Sequence, residues 1–436
     1  MIVGCRTWLA VCLLAGFVAA QGLATDSSYQ DGQAEESEED RSSASGHGPP
    51  LRLAQQPAAP VPRPPLSGPF VYPPLVGSEL AMLQPRPDPY TALLRRTWRP
   101  NSRLASAPHM FGDFLGPDIR LAASEGSQEL FTDLPLVAGG RRTKLSDNNS
   151  PVVMDRAYFT FQHFHNVLQF DADPSQGTLP RDSSVNRLVL GFEHVIAGGP
   201  WSLDVRIPLL SQPRYPGAPF TCDGGVLGNI TLTPKWMFWT SDILILATGL
   251  GVDLPTGADS VVTVFETEYA LRNRAVHLLP FVGMLTTPTD RTYLSFFTQF
   301  DFAAGSNPVE VTDHFFDVTT RPGLFTEQNL LHLDLAGGYW LEQDGAGVLS
   351  ALATLTELHY TTTLQDSDHV DASTLFGPAA TIANASNRQD ALNLTAGFHA
   401  VLWNTTAVRL GAIVPLLAGD NRLFDAEFSL QINQRF

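Results

Sequence analysis

Strict alternation of apolar and polar residues runs through the C-terminal part of the chain. In its last run, FDAEFSLQINQRF, Phe428 and Leu430 lie on one face and Ser429 on the other. The runs WSLDVRIPLL (201–210) and NITLTPKWMF (229–238) alternate in the same way. Because successive side chains of a β-strand point to opposite faces, a period of two predicts strands that separate an apolar from a polar environment.

The connections between these runs alternate strictly between short and long. The short ones are 196–200, 239–242, 287–291, 342–347 and 403–406. The long ones are about 171–185, 211–225, 255–275, 305–327 and 363–390, and a brief one, 418–422, follows them on the same side. A soluble sandwich has no reason to keep its long loops at one end. Short periplasmic turns and long outer loops are typical of a transmembrane barrel.

The sequence therefore predicts an all-β fold, a transmembrane antiparallel up-and-down β-barrel of about 12 strands over residues 156–436. An even strand number places both ends of the barrel on the periplasmic side. The predicted strands are 156–170, 185–196, 200–210, 226–239, 242–255, 276–287, 291–304, 328–341, 347–362, 391–403, 406–417 and 423–436.

The region before the barrel divides into three parts. Residues 1–20 combine a basic residue, a short apolar run and small residues at the end, which predicts a signal peptide. Residues 21–96 contain an acidic block and a Pro-rich stretch, which predicts a disordered periplasmic tail. Residues 97–155 have aromatic residues but no sustained period, so we interpret them as an irregular pre-barrel segment and a candidate lumen plug.

The charge balance argues against nucleic acid as a partner. The formal net charge is −17, and Lys and Arg occur without a cluster of the kind that phosphate binding needs. Cys222 is the one cysteine that remains after the predicted signal peptide, so no internal disulfide framework is expected.

Charged residues collect on the face that alternation assigns to the barrel interior. Mixed charges of this kind line water-filled pores, although they also satisfy one another in a plugged barrel. The predicted lumen-lining residues are Arg187, Glu193, Asp204, Arg206, Lys235, Asp253, Asp301, Asp334, Arg409, Asp425, Glu427 and Arg435.

The tryptophans of the barrel region lie close to the short turns, where interfacial girdles are expected. Trp201 and Trp236 have the parity of the lipid-facing side, whereas Trp239, Trp340 and Trp403 reach it only if a bulge or turn re-aims them.

The terminal strand resembles the assembly signal of bacterial outer-membrane proteins, since it ends in an aromatic residue. The residues of this predicted signal are Phe428, Leu430, Ile432 and Phe436, and Gln434 departs from the usual apolar pattern. The resemblance implies outer-membrane lipid and the outer-membrane assembly machinery as partners.

No motif for catalysis, a metal or a cofactor stands out. His163, His165 and His194 fall on adjacent predicted strands, but no carboxylate or cysteine has a matching ligand spacing. An outer-membrane lipase would need Ser, His and Asn on the outer wall, and only His165 and Asn166 are recognisable. We therefore expect a protein that is not an enzyme and needs no cofactor.

The stretch LATGLGVDLPTGADS (246–260) resembles the G-L-x-L-P-T-G segment of outer-membrane barrels associated with meta-pathway phenol-degradation clusters. Physically, Pro255 and Gly257 end a strand and open a loop. The resemblance implies an outer-membrane barrel that passes small organic solutes.

Two hypotheses about function remain open. The first is a bacterial outer-membrane channel for passive passage of small solutes. The second is a structural barrel that its Pro-rich tail tethers to the periplasm or the cell wall. Residues 97–155 discriminate between them, because a segment that fills the lumen permanently weakens the channel hypothesis.

Overall fold

The computed structural model describes most of the chain after residue 101. The described residues are 102–113, 116, 119–125, 128–134, 142–168, 170–172, 183–211, 220–224, 227–343, 345, 347–374 and 378–436. The predicted signal peptide (1–20) and the predicted tail (21–96) lie outside the described residues.

The described residues form 22 β-strands, numbered β1 to β22 along the chain, together with one short α-helix and one 3-10 turn. Twelve strands close into an antiparallel barrel, in which each strand pairs with its chain neighbours in the barrel and β22 pairs with β3. The barrel strands are β3 (Arg156–Leu168), β5 (Ser183–Ile196), β6 (Trp201–Leu210), β8 (Ile230–Thr240), β9 (Leu244–Leu254), β12 (His277–Thr286), β13 (Thr292–Ala303), β16 (Leu330–Glu342), β17 (Leu349–Thr363), β20 (Asp390–Leu402), β21 (Thr406–Pro415) and β22 (Ala426–Arg435). The prediction of a 12-strand all-β barrel is confirmed.

The sequence interpretation treated the long connections as simple loops, but the structure shows that they contain strands. Together with two strands of the segment before the barrel, they build two five-stranded sheets at one end of the barrel, which we call the long-connection end. One sheet contains β1 (Ile119–Glu125), β2 (Gln128–Asp133), β4 (Phe170–Ala172), β18 (His369–Asp371) and β19 (Ala379–Asn384). The other contains β7 (Phe220–Gly224), β10 (Ser260–Val264), β11 (Thr267–Leu271), β14 (Asn307–Asp313) and β15 (Val318–Phe325).

The two sheets share one buried apolar cluster. Leu121 and Ile382 contribute to it from the first sheet, and Val262, Tyr269 and Val311 from the second. Their strands are short and come from several connections and from the segment before the barrel, so no single stretch of sequence shows a long alternating run. This is why the sequence interpretation missed both sheets.

The segment before the barrel follows a path that passes through the barrel twice. Helix α1 (Ser102–Ser106) lies at the short-turn end, where Arg103 pairs with Asp290 at 2.5 Å. The chain then reaches the long-connection end, where β1 and β2 form a hairpin between β19 and β4. It returns to the short-turn end, where Asp155 contacts His194 at 2.8 Å. The predicted irregular segment therefore contains two strands, and long-range pairing with β19 and β4 supplies their stability.

Large apolar side chains cover the outer wall of the barrel. Strand β6 shows the pattern well, because its residues alternate between exposed and buried along its length. Exposed apolar residues on the barrel strands include Leu190, Phe192, Trp201, Leu203, Trp236, Leu250, Val282, Leu294, Phe300, Leu335, Phe398, Leu410 and Phe428.

Four of the five tryptophans near the short turns are exposed. A register shift between Met237 and Trp239 turns Trp239 outward, and Trp403 is exposed in the turn between β20 and β21. Trp340 is the exception, because it is buried and packs edge-on against His399.

In the part of the chain that the structure describes, no helix has the length and apolar character needed to cross a membrane.

Candidate functional site

The barrel interior is the candidate functional site, and charged side chains line its wall. Of the twelve residues that alternation assigns to the lumen, ten are buried. The other two are Arg435, which is half-buried, and Asp425, which precedes β22. Asp425 stays at the rim because it pairs with Arg422 and accepts a hydrogen bond from Asn166 at 2.8 Å.

Residues 102–113 and 142–155, which we call the inner segment, fill this interior. Residues 107–113 and 142–150 are buried without exception, although they form no regular element of their own beyond turns. Their burial comes from contacts with the barrel wall, described in the following paragraphs.

Ion pairs fix the inner segment in the half of the lumen nearer the long-connection end. The Lys144 ammonium lies 2.6 Å from Asp334 of β16 and also contacts Asp113 of the inner segment itself. Arg142 pairs with Asp301 of β13 at 2.7 Å. All these side chains are almost fully buried, so their charges are compensated by one another rather than by water.

Side chains of the wall also bind the backbone of the inner segment. Gln299 of β13 accepts a hydrogen bond from the Leu145 backbone at 2.6 Å and donates one to the Thr143 carbonyl at 3.0 Å. At the next level, the Phe111 backbone donates to Glu357 at 2.9 Å and accepts from Gln431 at 2.8 Å. These bonds satisfy backbone groups that have no partner in a helix or sheet.

Lys235 of β8 binds residues 150–152 of the inner segment, where the chain returns to the short-turn end. Its ammonium donates to the carbonyls of Ser150 at 2.9 Å and Val152 at 3.0 Å, and it pairs with Glu193 at 2.7 Å.

A pair of wall glycines makes room for the Phe111 ring. Gly397 of β20 and Gly411 of β21 are register partners, and a Cβ at Gly411 would lie 2.9 Å from the ring. A Cβ at Gly251 would likewise lie 2.9 Å from Leu145. Gly251 belongs to the stretch 246–260 that resembles the G-L-x-L-P-T-G segment. This glycine forms part of strand β9, and it also permits the inner segment to approach the wall closely.

The wall carries further polar residues that the sequence interpretation did not single out. Arg156, Gln299, Glu357, His359 and Gln431 are all buried and all contact the inner segment or its ion pairs. Each of these residues lies at an inward-facing position of its strand. A search for all polar residues at inward positions, and not only for charged ones, would have found them.

One group of side chains within the described residues has the spacing of metal ligands. Asp113, Asp334 and His359 present ligand atoms within 4.8 Å of one another. The Lys144 ammonium contacts both carboxylates, so a cation of the protein already occupies this place.

The histidines that the sequence raised as metal or catalytic candidates lie apart from this group. His163 contacts Asn186 and His194 contacts Asp155, each at 2.8 Å. His165 lies 3.2 Å from Ser184 of the neighbouring strand, a serine that the sequence interpretation did not place there. In the described part of the chain no carboxylate or amide contacts the other ring nitrogen of His165, so the orienting group of a triad is missing.

No protein-family model and no curated protein sequence matches the chain. Among solved structures, an outer-membrane channel from Pseudomonas putida F1 is 14% identical, and the match covers 66% of this chain and 97% of the channel with a TM-score of 0.41. The β domain of the Bordetella autotransporter BrkA is 12% identical over 65% of this chain and 99% of that domain, with a TM-score of 0.38. The Pseudomonas putida toluene transporter TodX is 10% identical over 77% of this chain and 92% of the transporter, with a TM-score of 0.30. At these identities and TM-scores the similarities assign no function, which has to come from the chain's own residues.

Proposed function

We propose that this chain is a bacterial outer-membrane β-barrel that acts as a channel for small solutes and is closed by its own inner segment. An apolar outer wall around a polar interior, in a closed barrel without edges, supports placement in a membrane. The short-turn end then faces the periplasm, and the predicted tail lies there. The resemblance of residues 246–260 supports small organic compounds as solutes.

The polar character of the filled lumen is the observation that carries the channel proposal. Buried ion pairs such as Lys144–Asp334 stabilise a protein no better than apolar side chains of similar volume, because desolvation offsets their attraction. Stability alone therefore does not account for a charged lumen. A charged wall becomes useful when the inner segment moves and water enters, since it then conducts and selects solutes.

Planar-bilayer recording of the full-length protein tests the proposal. We expect infrequent stepwise openings in the native protein and more frequent openings in Lys144→Met, which loosens the inner segment. If both proteins are silent over a wide voltage range, the channel proposal is wrong.

A closed structural barrel is the second candidate, and the two outer sheets favour it. The two sheets lie at the long-connection end and share an apolar core. Strands β1 and β2 of the first sheet lie between the two parts of the inner segment in the sequence. A barrel that anchors this outer structure and is tethered by its tail would give no conductance in any variant.

Neither candidate requires catalysis or a cofactor. The lipase alternative predicts that refolded protein hydrolyses phospholipid and that His165→Ala abolishes the activity; absence of activity in the native protein removes it. Outer-membrane lipid and the assembly machinery are the partners that a barrel of this kind would meet.

A further inference from the structure

Arginine side chains converge around His109 of the inner segment, in the half of the lumen nearer the short turns. Arg156 of β3 lies 2.8 Å from the His109 Nδ1 atom and donates to the Asn148 carbonyl at 2.8 Å. Arg409 of β21 donates to the His109 carbonyl at 2.5 Å. Arg435 of β22 is the register partner of Arg156 on the neighbouring strand.

The cluster leaves hydrogen-bond donors without partners. Because Arg156 can only donate, His109 Nδ1 accepts from it and the ring proton sits on Nε2. That atom has no partner within the described residues, and neither do Nη2 of Arg156, Nε of Arg409, Nε of Arg435 and Nδ2 of Asn433. Arg156, Arg409, His109 and Asn433 are almost fully buried, so bulk water does not readily satisfy these donors.

The cluster also holds fewer carboxylates than cations. Glu193 is shared between Arg156 at 2.9 Å and Lys235 at 2.7 Å. Within the described residues no carboxylate pairs with Arg409 or Arg435. Glu357 and Asp147 accept hydrogen bonds from Phe111 and Gln431, and within the described residues neither forms an ion pair with Arg409. Buried cations without a paired anion destabilise a fold, and a bound anion would offset this cost.

We propose that this cluster is a binding site for a small oxyanion, a carboxylate or phosphate group. Guanidinium groups bind such oxygens in forked pairs, and the free donors come from three arginines, one imidazole and one amide. The half-buried Arg435 ends strand β22 at the short-turn end, so the cluster borders that end of the barrel. A bound oxyanion would join the inner segment, through His109, to strands β3, β21 and β22. The site does not depend on whether the barrel conducts.

Calorimetric titration of the full-length protein in an uncharged detergent tests the site. Inorganic phosphate and acetate are the probes, and chloride holds the ionic strength constant. We expect saturable binding of at least one probe, and the tighter one identifies the preferred oxyanion. Absence of saturable binding of both probes overturns the proposal.

Two matched variants separate a specific site from general attraction to positive charge. Arg435→Gln removes one charged donor of the cluster and should weaken binding about tenfold or more. Arg103→Gln removes an exposed cation at the same end, outside the cluster, and should leave binding unchanged. Equal weakening in both, or no weakening in Arg435→Gln, overturns the proposal. If Arg435→Gln does not fold, two further variants replace it. Arg435→Lys retains the charge but not the forked guanidinium group, and it should bind the oxyanion more weakly than the native protein. His109→Gln removes the imidazole donor and should weaken binding independently.

Discussion

The barrel wall and the inner segment are held in different ways. The wall is bonded to itself through a closed ladder of backbone hydrogen bonds, and β22 joins β3 to leave no free edge. The inner segment has no such ladder, and its backbone is bonded by wall side chains such as Gln299, Glu357 and Gln431. Side-chain contacts can be exchanged one at a time, whereas the ladder breaks cooperatively. We therefore expect the inner segment to be able to detach while the wall stays closed.

The largest expected effect concerns the wall. Deleting Phe436 removes the terminal aromatic residue of the predicted assembly signal and its ring contact with Phe192, whose centroid lies 5.7 Å away. We expect most of the protein to fail to reach the outer membrane, as measured by fractionation and immunoblotting. Phe436→Tyr keeps the aromatic ring and should insert normally. Normal levels of the truncated protein in the outer membrane would show that the C-terminal residue is not part of an assembly signal.

The next effect concerns the inner segment alone. Lys144→Met removes the ammonium group that pairs with the buried Asp113 and Asp334, and removal of one partner of a buried pair destabilises by roughly 3–5 kcal/mol. We expect a protease to cleave within residues 102–155 of the refolded variant, while the barrel keeps its heat-modifiable mobility in gels.

A surface ion pair supplies the control for this prediction. Arg388→Met removes the partner of Asp366 in an exposed pair, which contributes about 0–1 kcal/mol. If Lys144→Met is as protected from the protease as Arg388→Met, or if its barrel unfolds together with the inner segment, the two regions are not separable.

A smaller effect is expected where the wall and the inner segment touch. Gly411→Val would place a Cβ 2.9 Å from the Phe111 ring, and overpacking of this kind costs about 1–3 kcal/mol. Protease cleavage of the inner segment should increase moderately. In a Phe111→Ala background the clashing ring is absent, so Gly411→Val should increase cleavage less there than in the native background. An equal effect of Gly411→Val in both backgrounds would contradict the pocket.

On the outer wall we expect a weaker effect that leaves the inner segment unchanged. Trp236 stacks on Trp201 with ring centroids 5.1 Å apart, and such pairs contribute about 0.5–1.5 kcal/mol beyond their area. A double-mutant cycle of Trp236→Ala and Trp201→Ala, measured as the free energy of unfolding from vesicles, should show this coupling. Trp403→Ala is the control, since Trp403 has no aromatic ring partner in the described part of the chain. Additive effects of the two stacked residues would exclude the coupling.

The smallest effect belongs to the outer sheets. Hydrogen bonds from Arg272, and from Arg321, lower the pKa of Glu310 below its ordinary value. A carboxylate with a lowered pKa stabilises the fold above its unfolded pKa and loses that contribution as the pH falls. Hydrogen exchange of β14 and β15 should therefore speed up on acidification, by an amount that corresponds to less than about 1 kcal/mol, because solvent reaches the arginine partners of Glu310. The same acid dependence in Glu310→Gln would rule out this group as its source.

The sequence was informative about the wall and much less so about the interior. The first strand was predicted at 156–170 and runs from Arg156 to Leu168, because lipid outside and polar groups inside impose a local period of two. The inward parity also found Lys235 and Arg409, which contact the inner segment. The path of residues 102–155 could not be read in this way, since its partners lie far away in sequence. Phe111 and Glu357, for example, are separated by 246 positions.

A disulfide that locks the inner segment to the wall tests whether the channel opens by movement of that segment. The hydroxyl oxygens of Thr143 and Thr231 lie 3.0 Å apart, so Thr143→Cys with Thr231→Cys should form a disulfide across the lumen, in a Cys222→Ser background that leaves no other cysteine after residue 12. We predict that the oxidised protein is silent in planar bilayers and that a reductant restores stepwise openings. Equal openings before and after reduction would contradict a channel that opens by movement of its inner segment.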